Sequence, residues 1–83
     1  MLKAGQVFRL ATDVVAIEPF ENRMRAVLIP SGNVVQVTKY PCPADDRMAD
    51  VLWDGKPVVV FGRDLHERAQ EITAMSASQS GRS

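Results

Sequence analysis

Hydrophobic and polar side chains alternate in several parts of the chain, with the two-residue period that is typical of half-buried β-strands. The alternation is seen within residues 6–17, 23–29 and 33–40, and residues 47–53 and 56–61 also have strand character. These segments are rich in β-branched and aromatic residues, which are favoured in strands. We therefore predict about five short antiparallel strands, of which the first is long enough to bend.

Turn-forming residues separate the predicted strands. The pair Asp54-Gly55 is the strongest hairpin signal, because a two-residue turn needs positive φ at its central positions. Residues 30–33, with the sequence Pro-Ser-Gly-Asn, predict a second hairpin turn. Residues 18–22 are expected to interrupt the first strand, because Pro19 has no N–H for the strand ladder and Asn22 favours a turn. Residues 41–46 are expected to form a loop.

The two sides of the second predicted strand differ in polarity. One side carries Arg23, Arg25 and Val27, and the other carries Met24, Ala26 and Leu28. Antiparallel sheets commonly bury one face and expose the other. We therefore expect the arginines to lie on the solvent side of this strand.

A helix is predicted near the end of the chain. Asp64 is a candidate N-cap residue, and Glu67 has the spacing of a capping box. The helix would begin at Leu65, with Leu65, Ala69 and Ile72 forming an apolar stripe.

The last predicted strand is apolar on both faces, because residues 58–61 are Val-Val-Val-Phe. One face is expected to fill the protein interior. Leaving the other face in water would be costly. We expect it to meet either the helix stripe or a second subunit.

These elements predict a mainly β fold, a small SH3-like barrel of about five antiparallel strands with a short C-terminal helix. A five-stranded OB-type barrel fits less well, because the place of its usual helix is taken by the loop at residues 41–46. The barrel would form one domain over residues 1–73. Residues 74–83 are small and polar and are expected to be a flexible tail.

Composition narrows the partners and the compartment. Among the 83 residues, ten basic and ten acidic side chains cancel, so the chain lacks the overall positive charge typical of nucleic-acid-binding domains. No apolar run has membrane-spanning length, and the first residues do not resemble a signal peptide. We expect a cytoplasmic protein with no membrane partner and, with Cys42 as its one cysteine, no internal disulfide.

No motif for catalysis, metal binding or cofactor binding is found, so no catalytic, metal or cofactor residue and no cofactor are predicted. Enzyme activity stays open, although the lack of these motifs argues against it. Three features have residue types that occur in functional sites, but each has a simpler explanation. We expect Cys42 to be a loop cysteine and His66 a surface histidine. We expect Asp45, Asp46 and Asp50 to be solvated.

The preferred hypothesis is a non-enzymatic module that self-associates or binds a protein partner. A two-fold dimer is the default assembly. The predicted interface consists of Trp53, Val59, Phe61 and His66.

Two other functions remain open. A nucleic-acid-binding barrel would use a basic face with one stacking aromatic, formed by Arg9, Arg23, Arg25, Lys39 and Tyr40. A small-molecule binder or enzyme would place its site at a subunit interface.

Three motifs support a family resemblance. They are I-P-x-G at residues 29–32, D-V-L-W-x-G at residues 50–55 and V-x-F-x-x-D-L-x-E-R at residues 59–68. In these motifs the chain resembles a family of small uncharacterised bacterial proteins with an SH3-like barrel, which carries no assigned activity.

A weaker resemblance is to the type II dihydrofolate reductases, tetrameric SH3-like barrels of plasmids and mobile gene cassettes. Their signature V-Q-I-Y corresponds to Val-Val-Val-Phe at residues 58–61. The glutamine and tyrosine that contact pterin and cofactor in that family are replaced here. The replacements therefore argue against a reductase site and leave assembly through this strand open.

Overall fold

A computed structural model of the chain describes residues 2–43 and 45–72. The fold is mainly β, as predicted. In chain order the elements are β1 (Val7–Leu10), β2 (Val14–Phe20), β3 (Arg23–Ile29), β4 (Val34–Lys39), β5 (Met48–Trp53), β6 (Lys56–Phe61), α1 (Gly62–Arg68) and β7 (Ala69–Ile72). The tail predicted for residues 74–83 lies outside the described residues.

The strands form one antiparallel sheet in the order β3-β2-β6-β5-β4-β1-β7. It has seven strands where the sequence predicted about five. The sheet is not closed, because β3 and β7 are its two edges, so the barrel expected from the sequence is open.

The first additional strand arises because the bent strand predicted over residues 6–17 is divided into β1 and β2. A corner separates them. The N–H of Ala11 donates to the carbonyl of Arg68 at 2.8 Å, and the carboxylate of Asp13 accepts from the N–H of Ser31 at 2.8 Å. The two strands on either side of this corner have different neighbours. β1 pairs with β4 and β7, whereas β2 pairs with β3 and β6.

The predicted start of the helix was wrong. The helix α1 begins directly after β6, with Phe61 as its N-cap residue and no side-chain cap hydrogen bond. Asp64 lies inside the helix and pairs with Arg68 at 3.5 Å, while Glu67 pairs with Arg63 at 3.8 Å. Both carboxylates therefore pair with arginine side chains one turn away, Asp64 toward the next turn and Glu67 toward the preceding one, and neither caps the first N–H groups of the helix. Among the described residues, no helix is long and apolar enough to cross a membrane.

The predicted helical stripe was also wrong beyond its first residue. Leu65 is fully buried, but Ala69 and Ile72 lie in β7, the second additional strand. There they oppose Leu10 and Val7 of β1. Pairing with β1 satisfies the backbone of this segment, and this tertiary contact overrides the helical spacing of its apolar residues.

Two-residue turns join β5 to β6 and β2 to β3. The first confirms the predicted hairpin, with φ of 54° at Asp54 and 77° at Gly55. The second contains Asn22, which the sequence indicated as a turn residue, but pairing of the flanking strands as a hairpin was not predicted. It has φ of 49° at Glu21 and 63° at Asn22 and brings the end of β2 opposite the start of β3.

Pro19 does not interrupt the strand, as was expected, but lies within β2. Backbone groups of successive strand residues point alternately to the two neighbouring strands. At Pro19 the side without a donor faces β6, which pairs with β2 only at Ala16 and Ile17. The missing N–H thus removes no hydrogen bond from the ladder, which is the condition under which strands accept proline.

The turn predicted at residues 30–33 is present, but the hairpin is not. Asn33 donates its N–H to the carbonyl of Pro30 at 3.3 Å, and Gly32 has φ of 87°. However, among the described residues β3 pairs only with β2, and β4 pairs with β1 and β5. The end of β1 occupies the place beside the turn, since Leu10 exchanges backbone hydrogen bonds with Gly32 and Asn33 at 2.8 and 2.9 Å.

One hydrophobic core lies on one side of the sheet, which we call the inner face. Strands β1 to β6 and the helix all contribute to it. Its buried members are Phe8, Leu10, Val14, Ala16, Ile29, Val35, Val37, Ala49, Val51, Val58, Val60 and Leu65. Because residues from well-separated strands meet in one cluster, the sheet must curve around it.

The orientation predicted for β3 was wrong. Ile29 is fully buried, and the alternation of side chains along the strand therefore puts Arg25 on the inner side and Met24 and Leu28 on the outer side. The charged side of this strand faces inward because the β2–β3 hairpin extends past the end of the core.

Candidate interaction surface

Apolar side chains cover the outer side of β3, β2 and β6. The cross-strand register aligns them, since Leu28 opposes Val15 and Ile17 lies between Ala26 and Val59. We call this group the outer apolar face. Its residues are Val15, Ile17, Met24, Ala26, Leu28, Val59 and Phe61.

Several large side chains of the outer apolar face are exposed. Met24 is 63% exposed, Leu28 55%, Val15 50% and Phe61 42%. Single exposed apolar side chains are normal on protein surfaces, whereas a contiguous group is characteristic of an interaction site. The outer apolar face is therefore the candidate functional site of this chain.

The second face of β6 is not covered by the helix. Val58 and Val60 point inward and are buried, Val59 is half-buried and Phe61 is exposed. The helix turns to the core instead, where it buries Leu65. Of the two coverings expected from the sequence, the helix stripe is excluded.

Two depressions flank Phe61. One, of about 280 Å³, is mostly apolar, and its walls include Ile17, Met24, Met48 and Val59. The other, of about 420 Å³, is more polar, and its walls include Asp13, Arg63, Asp64 and Arg68. The ring of Phe61 thus separates an apolar from a charged part of the surface.

An ion pair forms the rim of the apolar depression. Arg47 donates to Asp45 from its side chain at 2.9 and 3.1 Å and from its backbone N–H at 2.9 Å. The side-chain hydrogen bonds, followed by the backbone one, lower the pKa of Asp45 to about 2. They also raise the pKa of the Arg47 guanidinium. Both groups are therefore charged at neutral pH, at the rim of the apolar depression.

The structure separates the four residues of the predicted interface. Val59 and Phe61 lie on the outer apolar face. Trp53 points to the inner face, where its indole packs against the core and donates from Nε1 to Oδ1 of Asn33 at 3.1 Å. His66 is exposed on α1.

The residues of the predicted basic face are also dispersed. Arg23 and Arg25 lie on the edge strand β3, and Arg9 lies on β1, with four strands between them in the sheet order. Arg9 is on the outer side of its strand, whereas Arg25 is on the inner side of β3. Lys39 ends β4, the neighbour of β1.

Two members of that set have contacts of their own. The guanidinium of Arg25 pairs with Glu18 at 2.9 Å and lies 4.1 Å from the ring centroid of Phe20. Tyr40 is half-buried against the core, beside Gly62, where an added Cβ would lie 3.1 Å from the tyrosine ring. No continuous basic surface is formed by these five residues.

Ionisable side chains do not gather into a metal site in the part of the chain that the structure describes, since no group of three or more His, Cys, Asp or Glu side chains has suitable geometry. Cys42 is a half-buried free thiol at the edge of the apolar depression.

Sequence reasoning missed Met24, Leu28 and Val15 as surface residues. A signal was present in β3, because Val27 and Ile29 are on the same side of the strand as the arginines. Both sides of the strand therefore carry apolar residues that could be buried in the core.

Known proteins do not identify the chain. Comparison with protein-family models, with curated proteins and with solved structures gives no match. The two family resemblances noted in the sequence stay predictions, and the outer apolar face has to be interpreted from its own geometry.

Proposed function

We propose that the protein is a small β module that self-associates, and that the outer apolar face is its association surface. The observation that carries this proposal is the exposure of Met24 and Leu28, at 63% and 55%, beside Val15 and Phe61 on the next strands. Val59 and Phe61 of the predicted interface belong to this surface, whereas Trp53 and His66 do not.

The magnitude of apolar burial supports association. Burying apolar surface contributes about 25 cal/mol per Å², so covering several exposed side chains would contribute several kcal/mol. That is comparable with the whole stability of a small domain, which is about 5–15 kcal/mol. A two-fold dimer is the simplest closed assembly.

We also infer that the fold is an open form of an SH3-like barrel. Support comes from the curvature of the sheet, whose strands β1 to β6 surround one core, and from the tight turns between short strands. In such a barrel the edge strands β3 and β7 would be the sides that fail to meet.

The test is light scattering with size-exclusion chromatography over a dilution series from high to low micromolar concentration. The wild type is expected to form a dimer that Leu28→Lys converts to a monomer. Val34→Lys is the matched control, because Val34 is 42% exposed and lies on β4, outside the outer apolar face. A wild type that stays monomeric throughout, or equal effects of the two variants, would contradict the proposal.

A further inference from the structure

The free edge of β3 is long and regular. All seven residues from Arg23 to Ile29 oppose residues of β2 without a register shift, and no strand among residues 2–43 and 45–72 pairs with the other side of β3. The edge contains neither proline nor a bulge, two of the devices that protect edge strands from pairing. At the opposite side of the sheet, β7 has only four residues.

The backbone groups on the free edge can be identified from the turn. In a two-residue turn the N–H of the residue after the turn donates to the carbonyl before it, so Arg23 points its N–H toward Phe20 of β2. Strand residues alternate in this direction. The N–H and C=O groups of Met24, Ala26 and Leu28 therefore point to the free edge.

We propose that two copies of the chain pair antiparallel along β3, with the two-fold axis passing beside Ala26. This inference rests on the proposed self-association and specifies its geometry. In this register Ala26 opposes itself and Met24 opposes Leu28 of the second copy. Each N–H and C=O on the free edge then gains a partner, and the two sheets become continuous.

Charge and overlap select this register. Pairing centred on Ala26 aligns the whole strand and places Arg25 opposite Val27 and Arg23 opposite Ile29. A two-fold axis at Arg25 would place the two copies of Arg25 directly opposite each other. An axis at Met24 would place Arg23 opposite Arg25. Like charges directly opposite each other are destabilising.

Shifting the axis the other way loses hydrogen bonds. An axis at Val27 would place Pro30, which has no N–H, opposite Met24. Every register other than the one centred on Ala26 also shortens the overlap of the two strands.

The same register places the most exposed side chains of the two copies directly opposite each other. Met24 and Leu28 have the highest exposure among the large hydrophobic side chains of the described residues. Cross-strand apolar pairs directly opposite each other contribute about 0.2–1 kcal/mol relative to alanine pairs. On the other side of the strand, the two copies of Arg25 are diagonal neighbours, and each is already paired with its own Glu18 at 2.9 Å.

Disulfide trapping tests the register in the full-length chain, with Cys42→Ser as the background. Directly opposed Cα atoms of a hydrogen-bonded pair are about 5.5 Å apart, within the range of about 4.4–6.8 Å that a disulfide spans. We expect Ala26→Cys to form a covalent dimer under mild oxidation. Leu28→Cys is the matched control, because its two copies would be offset by four residues, or about 14 Å.

A mixing experiment gives a second reading that does not depend on position 26. Met24→Cys and Leu28→Cys should each stay monomeric on a non-reducing gel. Mixed in equal amounts before oxidation, they should form a covalent dimer of one chain of each kind, because residue 24 opposes residue 28.

The outcomes separate this inference from the proposed self-association. A dimer in light scattering that is trapped by Ala26→Cys and by the mixed pair supports both. Two results overturn pairing along β3 and leave self-association in place. One is a dimer that Leu28→Cys alone traps as efficiently as Ala26→Cys does. The other is a dimer in light scattering that neither Ala26→Cys nor the mixed pair traps. A monomer at every concentration overturns both and leaves the edge to another partner or to residues after Ile72.

Discussion

The inner and outer faces of one strand show how far position, rather than residue type, decides the role of a side chain. In β6, Val58 and Val60 are 1% exposed and belong to the core, whereas Val59 between them is half-buried on the outer side. Phe61, the largest residue of the strand, is 42% exposed. Chemically similar residues therefore stabilise the fold on one face and are available for association on the other.

The strongest test of this difference compares adjacent residues of β3. Ile29 is fully buried and Leu28 is 55% exposed. Ile29→Ala should lower the free energy of unfolding by about 2–5 kcal/mol, because it removes buried methyl groups and leaves a cavity. Leu28→Ala should change it by less than about 0.5 kcal/mol in the monomer. Urea denaturation at a protein concentration below the dissociation constant of the dimer measures both changes in unfolding free energy. Equal losses would contradict the assignment of the two faces.

The turn before β6 determines which of its residues point inward. Gly55 has φ of 77°, and an added Cβ would meet no atom within 4 Å, so Gly55→Ala isolates the backbone cost. Left-handed conformation costs an ordinary residue about 1–2 kcal/mol, and we expect this loss of stability in urea denaturation. Gly32→Ala, also at positive φ with open space around it, should behave similarly. A much larger loss at Gly55 would mean that the β5–β6 register slips and exchanges the two faces.

Trp53 distinguishes the faces by a smaller effect. Trp53→Phe keeps an aromatic ring against the core but removes the hydrogen bond to Asn33, so we expect a loss of about 0.5–1.5 kcal/mol of unfolding free energy. Because Trp53 lies on the inner face, the dilution series of this variant should match that of the wild type. Weaker association in the variant would place the indole in the interface after all.

The smallest expected effect concerns the loop beside the outer apolar face. The folded-state pKa of Asp45 is lowered to about 2 from an ordinary value of 3.8, so its ion pair with Arg47 stabilises the folded protein above pH 4. This contribution decreases as the pH falls below about 4 and is lost as the pH passes through the folded-state pKa of about 2. Asp45→Asn should therefore be slightly less stable than the wild type at neutral pH, and the difference should shrink as the pH falls from about 4 to 2. A difference that stays constant between pH 4 and pH 2 would show that the asparagine acts by another route.

Local signals in the sequence were sufficient for part of the fold. The alternation in β4, the strand-forming residue types in β5 and β6 and the Asp54-Gly55 turn predicted these strands and one hairpin correctly, because each signal acts between neighbouring residues. The inward direction of Val58 and Val60 was not assigned beforehand, since a strand of four consecutive apolar residues gives no polarity difference between its faces.

Other features depended on contacts that the sequence does not display. Ala69 and Ile72 have helical spacing relative to Leu65, and only the presence of β1 beside them makes a strand the better structure. In β3 the arginines were assigned to solvent by polarity alone. Arg25 lies on the inner side because Glu18 and Phe20 provide a partner and a stacking surface beyond the core.

The pairing of β1 with β7 has a consequence for the order of folding. Two-residue turns let the β2–β3 and β5–β6 hairpins form from adjacent segments, on a timescale of about 1–10 μs for isolated hairpins. By contrast, β1 gains β7 as its second neighbour only when Val7 meets Ile72, near the other end of the described chain. Contacts between distant residues slow folding. In pulsed hydrogen exchange during refolding, we expect the N–H of Ala11, which is bonded to Arg68, to become protected after the N–H of Val27, and the reverse order would show that the ends of the sheet meet first.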